Sequence, residues 1–174
     1  MKKKFFIFLD IDGTLYDYNE IAAGHNLDGV DTLKQESVDA LNHLIGKLEE
    51  KYEVKLGIIS EMKYYMRPLI ALLKQHNLQY NGRIEPVGGS YGLPKSRGHQ
   101  IYKHLLVWGK ESLDNGYFVV IDDQDHDFAT FFNKNNIIKT GGMRGGALNM
   151  QDVEEFLERF PELINDEEGK KHDE

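Results

Sequence analysis

Apolar residues along this chain gather in blocks of two kinds. In the first kind they run largely without alternation, at Phe5–Leu9, Val54–Ile59 and Tyr117–Ile121. Such runs predict strands buried on both faces, as in a parallel sheet. Shorter extended pieces are expected near Ile84–Val87 and Asn136–Lys139. In the second kind apolar residues recur every three or four positions. Val38, Leu41, Leu44, Ile45 and Leu48 share one face of a helix over Ser37–Tyr52. Leu69, Ile70, Leu72 and Leu73 mark another over Tyr64–Asn77, whose start Pro68 shifts toward Arg67, because proline suits only a first turn. Further helices are expected over Ser96–Gly109, Phe128–Asn133 and Asn149–Phe160, the last capped by Asn149 with Asp152 three residues on. Residues 16–36 are mixed and contain glycine, and read as a loop or small hairpin; Trp108 reads as core. Strands alternating with helices predict an α/β fold with a mostly parallel sheet.

In such sheets ligands bind beyond the carboxyl ends of the strands. Three strands of this chain end in polar chemistry there: Asp10 and Asp12 after the first, Ser60 after the second, Asp122 and Asp123 after the third. A lone Asp-Gly after a strand is ordinarily a turn. Asp10 and Asp12, however, are two apart, and in extended chain their side chains share a face. Like charges held that close call for a metal ion or a shared proton.

Composition narrows the choices. The chain has 174 residues, 40% of them hydrophobic, with nine Phe and nine Tyr, enough for one domain with a sizeable core. Residues 1–164 read as that domain and 165–174 as a polar, frayed tail. The absence of cysteine excludes disulfides, thiolate metal sites and a cysteine nucleophile. The apolar run after the lysines at the N-terminus is too short for a signal-peptide core or a membrane span, so a cytoplasmic location is expected. A net charge of −8 disfavours loose binding to phosphate backbones or anionic membranes.

DIDGTL (Asp10–Leu15) resembles the first motif of the haloacid dehalogenase (HAD) superfamily, and GIIS (Gly57–Ser60) is similar to the second. Lys95, just before a helix, is similar to the third-motif lysine. VVIDDQDHD (Val119–Asp127) resembles the fourth, with Asp122, Asp123 and Asp127 in register. A narrower likeness, to the HAD domain of Swiss Army Knife RNA repair proteins, lies in RGHQIYKHL (Arg97–Leu105), VVIDD, and IIKTGG followed by GALNMQDVEEFL. The chain departs from that group at Lys103-His104, at Ala147-Leu148-Asn149 and in the run SEMKYY after the second strand.

The resemblance implies a doubly wound sheet with helices on both faces and no full cap domain. Only 47 residues separate Asp12 from Ser60 and 34 separate Ser60 from Lys95. It implies Asp10 as nucleophile and Asp12 as general acid and base. The implied cofactor is Mg²⁺, held by Asp10, the backbone carbonyl of Asp12 and Asp123, with Asp122 and Asp127 supporting it. Ser60 would bind a phosphoryl oxygen. Lys95 or Arg97 would neutralise the phosphoryl group, Arg97 being a rival because it can grip phosphate bidentately. The Gly-rich run Gly141–Gly146 reads as a mobile loop rimming the site, with Arg144 as a substrate contact. His25, His99 and His126 read as solvated or satisfied rather than as ligands.

The implied activity is a Mg²⁺-dependent phosphomonoesterase working through an aspartyl-phosphate. Its partner would be a phosphorylated substrate, such as a nucleic-acid end or another large molecule; no membrane and no obligate protein partner are indicated. The net charge favours a small-molecule phosphatase or nucleotidase instead. A phosphotransferase and a receiver-like module with a phosphorylatable aspartate are the other readings, although a receiver has no use for an acid and base two residues after its nucleophile.

Overall fold

The computed structural model describes residues 1–16, 33–88, 96–141 and 146–160. The expected tail at 165–174, most of the expected hairpin, His25, Lys95 and Arg144 lie outside the described residues.

The buried apolar runs form the sheet. β1 (Lys4–Leu9), β2 (Glu53–Ile58), β3 (Ile84–Pro86), β4 (Phe118–Asp122) and β5 (Ile137–Lys139) pair in the order β3-β2-β1-β4-β5, every pairing parallel. β1 is central and fully buried from Phe5 onward, which is why its sequence does not alternate. The chain builds outward from β1 through β2 to β3, then returns to place β4 on the other side of β1. That reversal makes the β1–β4 boundary the switch point at which open α/β sheets bind ligands.

Successive side chains of β1 point to opposite faces and meet different helices. Phe5, Ile7 and Leu9 belong to a cluster with Leu41, Leu44 and Leu48 of α1 (Gln35–Glu49), Leu69 and Leu73 of α2 (Met66–Gln75), and Val153 and Phe156 of α6 (Met150–Arg159). Phe6 and Phe8 pack with Ile101 and Leu105 of α3 (Arg97–Trp108) and with Phe128 of α5 (Phe128–Phe131). Helices therefore cover both faces of a doubly wound sheet, as expected, and no cap domain is present among the described residues.

Local departures from expectation have local causes. Pro68 lies in the first turn of α2, where its missing N–H has no intrahelical partner to lose, and a 3₁₀ turn at Glu61–Tyr65 leads into it. Gly109 ends α3, but the chain re-enters a short helix at once, α4 (Lys110–Asn115), which the sequence reading left out. A Cβ at Gly109 would sit 2.4 Å from the Phe6 ring, so the chain passes directly against the sheet there. Trp108 is not core: it is 66% exposed. The sheet face beside it, over β2 and β3, carries Lys55, Gly57 and Glu85 and lines an open groove of about 580 Å³ rather than a packed layer. Asn149 caps α6 as expected, in a reciprocal pair with Asp152.

Candidate active site

Strand register brings the polar residues together. Leu9 stands opposite Ile58 on β2 and Ile121 on β4, so the three strands end level. Beyond that line the Asp10 N–H donates to the Ile121 carbonyl at 2.9 Å and the Ile59 N–H to the Leu9 carbonyl at 3.0 Å. Asp10, Ser60 and Asp122 consequently leave the sheet at one edge, and all three are buried.

The chain after Asp10 turns sharply. Gly13 has φ +73°, the left-handed region that glycine enters without strain. Space enforces the same choice, since a Cβ there would lie 2.4 Å from Asp123 Oδ2. Thr140, just past β5, fixes the turn by donating from its hydroxyl to the Gly13 carbonyl at 3.1 Å. The Leu148 N–H donates to the Thr14 carbonyl at 2.7 Å, so the segment before α6 closes on the same turn.

Carboxylates dominate the electrostatics. Asp10, Asp122 and Asp123 each present an oxygen within 4.8 Å of the others. Burial, with Asp122 adding to it, pushes the Asp10 carboxyl up to about 8. Asp123 is raised as well, again by burial first and Asp122 second. Among the described residues one cation opposes them: Arg97, the first residue of α3, donates from Nη1 to Asp10 Oδ1 at 3.1 Å and to Asp122 Oδ2 at 2.7 Å. Burial works against the Arg97 charge, but Asp122 and Asp10 outweigh it and its pKa is raised. Among the described residues one guanidinium faces three acids. An all-oxygen donor set of this kind suits a hard cation such as Mg²⁺, so the residues fit the metal.

The other expected residues are placed as follows. Asp12 leaves β1 with its carboxylate accepting from the Tyr16 hydroxyl at Oδ1 and from the Ser60 hydroxyl at Oδ2, the latter at 2.9 Å. Asp127 stands outside the acidic cluster: its Oδ1 accepts from the Gly98 N–H at 2.8 Å and ties down the first turn of α3, which carries Arg97. Asp122 also accepts from the Gln124 N–H at 2.9 Å, the short-range bond expected of a residue ending a strand. His126 lies 3.5 Å from Asp122 Oδ1, and His99 packs edge-on to Phe131. Within the unusual SEMKYY run, Lys63 is buried and donates to the Val87 carbonyl at 3.0 Å and to Gln100 at 3.2 Å, bracing the 3₁₀ turn against β3 and α3.

Sequence reading missed Tyr16. The available signal was its position four residues after Asp12 in a tight turn, which returns its ring toward that carboxylate. It also left Arg97 and Lys95 as rivals, and the structure puts Arg97 in contact with Asp10.

A family model described as the HAD domain in Swiss Army Knife RNA repair proteins matches residues 6–153, a span that holds all of these site residues. No curated protein and no solved structure matches the chain.

Proposed function

The chain belongs to the HAD domain family of Swiss Army Knife RNA repair proteins, and from that premise we propose that it is a Mg²⁺-dependent phosphomonoesterase using an aspartyl-phosphate on Asp10. The family points to a hydrolase of the phosphatase type. The observation that carries the finer reading is the meeting of Asp10, Asp122 and Asp123 within 4.8 Å at the switch point, with Arg97 paired to Asp10 and Asp122.

The metal would be held by Asp10, Asp123 and the Asp12 carbonyl, with Asp122 beside them. Bound there, it would supply the positive charge that lets a carboxylate approach a phosphate dianion. Asp10 attacks phosphorus, and its oxygen forms a bond to phosphorus as the ester oxygen departs. Asp12 gives a proton to that departing oxygen. Water then attacks the phosphoryl group and returns a proton to Asp12, phosphate leaves, and the Asp10 carboxylate is restored. Arg97 screens Asp10 from Asp122 and is placed to hold phosphoryl oxygens, and the Ser60 hydroxyl is a second donor to them.

For the substrate, we favour the terminal phosphate of a nucleic acid. The family's description supports this, as does the lack of a cap among the described residues. The test compares p-nitrophenyl phosphate, nucleotides, sugar phosphates and end-phosphorylated oligonucleotides, with Mg²⁺ and with EDTA. Turnover that needs Mg²⁺ and Asp10 supports the activity, and a preference for oligonucleotides supports the substrate. Preference for mononucleotides or sugar phosphates would replace the substrate reading while leaving the chemistry in place.

A further inference from the structure

Asp12 is held at both of its carboxylate oxygens by hydroxyl groups from separate parts of the chain. Tyr16, in the turn after β1, donates to Oδ1, and Ser60, at the end of β2, donates to Oδ2 at 2.9 Å. The Ser60 oxygen also accepts from the Met62 N–H at 3.2 Å, so its single proton is the one given to Asp12. Both donors are buried. Tyr16 packs into the core cluster beneath β1. A phenylalanine would fill that space equally well, so packing accounts for the ring and Asp12 for the hydroxyl.

The two donors are not equivalent once a phosphate arrives. A serine hydroxyl has one proton and cannot give it to Asp12 and to a phosphoryl oxygen together. When substrate draws that proton, Oδ2 loses its donor and Oδ1 keeps its own. We propose that Tyr16 is a positioning residue that selects Oδ2 as the proton-carrying oxygen of Asp12, holding Oδ1 while the substrate takes Ser60 away. The inference rests on the phosphatase reading above. In the first half-reaction the proton on Oδ2 goes to the leaving oxygen as its bond to phosphorus breaks and the Asp10–phosphorus bond forms. In the second, Oδ2 takes a proton from the attacking water as the Asp10–phosphorus bond breaks. Oδ1 stays hydrogen-bonded to Tyr16 throughout, so the carboxylate does not swing between the two steps. Ser60 thereby links phosphate binding to the freeing of the oxygen that performs proton transfer.

The experiment uses the full chain with Mg²⁺ and two substrates, β-glycerophosphate and p-nitrophenyl phosphate, in wild type, Tyr16→Phe, Ser60→Ala, Asp12→Asn and the Tyr16→Phe/Asp12→Asn double variant. An alkoxide needs a proton to leave and nitrophenolate does not. Tyr16→Phe should lower kcat for β-glycerophosphate by about tenfold or more, a share of the roughly 10²–10⁴-fold that general acid–base groups supply. Its KM should stay within about twofold of wild type, because Tyr16 does not hold the phosphate. With p-nitrophenyl phosphate it should keep a burst of one equivalent followed by slower turnover. Burst amplitude counts competent sites, so a poorly folded preparation cannot imitate a lower kcat. Ser60→Ala should show the complementary pattern, with KM raised for both substrates. On the Asp12→Asn background, removing the Tyr16 hydroxyl should change kcat by less than about twofold, since residues acting as one unit are not additive. Equal fractional losses on both backgrounds, or a Tyr16→Phe effect confined to KM, would overturn the role of Tyr16. A wild type without turnover, or an active Asp10→Asn variant, would instead overturn the phosphatase reading.

Discussion

Asp10→Asn is expected to abolish turnover and at the same time to stabilise the metal-free protein. The Asp10 side chain is buried against Asp122, and its carboxyl is pushed from 3.8 up to about 8. Its folded pKa is thus raised above the unfolded value. The stability it contributes is fully present below about 3.8, is lost as pH rises toward about 8, and stays level beyond. Each pH unit within that window is worth about 1.4 kcal/mol, so at pH 7 the ceiling is on the order of 4 kcal/mol. Water entry and side-chain relaxation reduce such penalties for buried ions, and about 2 kcal/mol is a fair expectation. Asparagine is neutral at every pH and its carbonyl oxygen can still accept from Arg97, so it escapes this loss. For a chain of this size about 2 kcal/mol corresponds to a melting temperature higher by roughly 4–8 °C. The assay is thermal unfolding of both proteins in EDTA at pH 5, 7 and 8.5. The advantage of the variant should grow across that series and shrink when Mg²⁺ is added. A variant that melts at or below wild type at pH 7 in EDTA would refute the reasoning that burial and Asp122 make the Asp10 charge costly.

Mg²⁺ should raise the melting temperature of wild type, with about 2.7 kcal/mol at a hundredfold excess over Kd, and the shift should be much smaller in Asp123→Ala; an equal shift in both would count against the site. Because Asp10 must release its proton before it binds a cation, the Mg²⁺ shift should be larger at pH 8.5 than at pH 6, and titration calorimetry in buffers of different ionisation enthalpy should detect the proton. Arg97→Met should destabilise by about 3 kcal/mol or more in urea unfolding, since it strips the charge partner from two buried carboxylates; a neutral result would mean that the pair is not formed in solution. Gly98→Ala should cost about 1–3 kcal/mol and reduce turnover, because its Cβ would meet Asp127 Oδ1 at 2.9 Å and Phe131 at 2.8 Å and displace the turn that carries Arg97.

The parts of the fold that the sequence revealed are those in which one local rule decides the outcome. β1 shows as a strand because both its faces are covered and nothing in Phe5–Leu9 alternates. α6 shows because Asn149 and Asp152 cap it reciprocally before an apolar stripe. Site residues at strand ends were legible for a similar reason: a parallel sheet brings Asp10, Ser60 and Asp122 to one edge whatever the loops do. What escaped depended on packing or on turn geometry that no periodic pattern records. Trp108 continues the spacing of Ile101 and Leu105, yet no element among the described residues covers the sheet face next to it, and a periodic pattern cannot tell which faces will be covered. α4 escaped because Gly109 signals a stop and its six residues carry too little periodicity to signal a new start. The service of Tyr16 to Asp12 escaped because an aromatic after DxDGTL reads as packing, and only the folded turn brings its hydroxyl to a carboxylate.

The proposed function requires that Asp10 become phosphorylated during turnover. The most direct measurement traps that species. Asp12→Asn protein, in which breakdown is expected to be slow, is mixed with Mg²⁺ and p-nitrophenyl phosphate, quenched in acid and reduced with borohydride, which converts an acyl phosphate to an alcohol. Peptide mass spectrometry then finds the converted residue. Position 10 is expected to convert from aspartate to homoserine, in dependence on substrate and Mg²⁺, and the conversion should be absent when Asp10 is itself replaced by Asn. Conversion at another aspartate, or none in a protein that turns over normally before the quench, would contradict it.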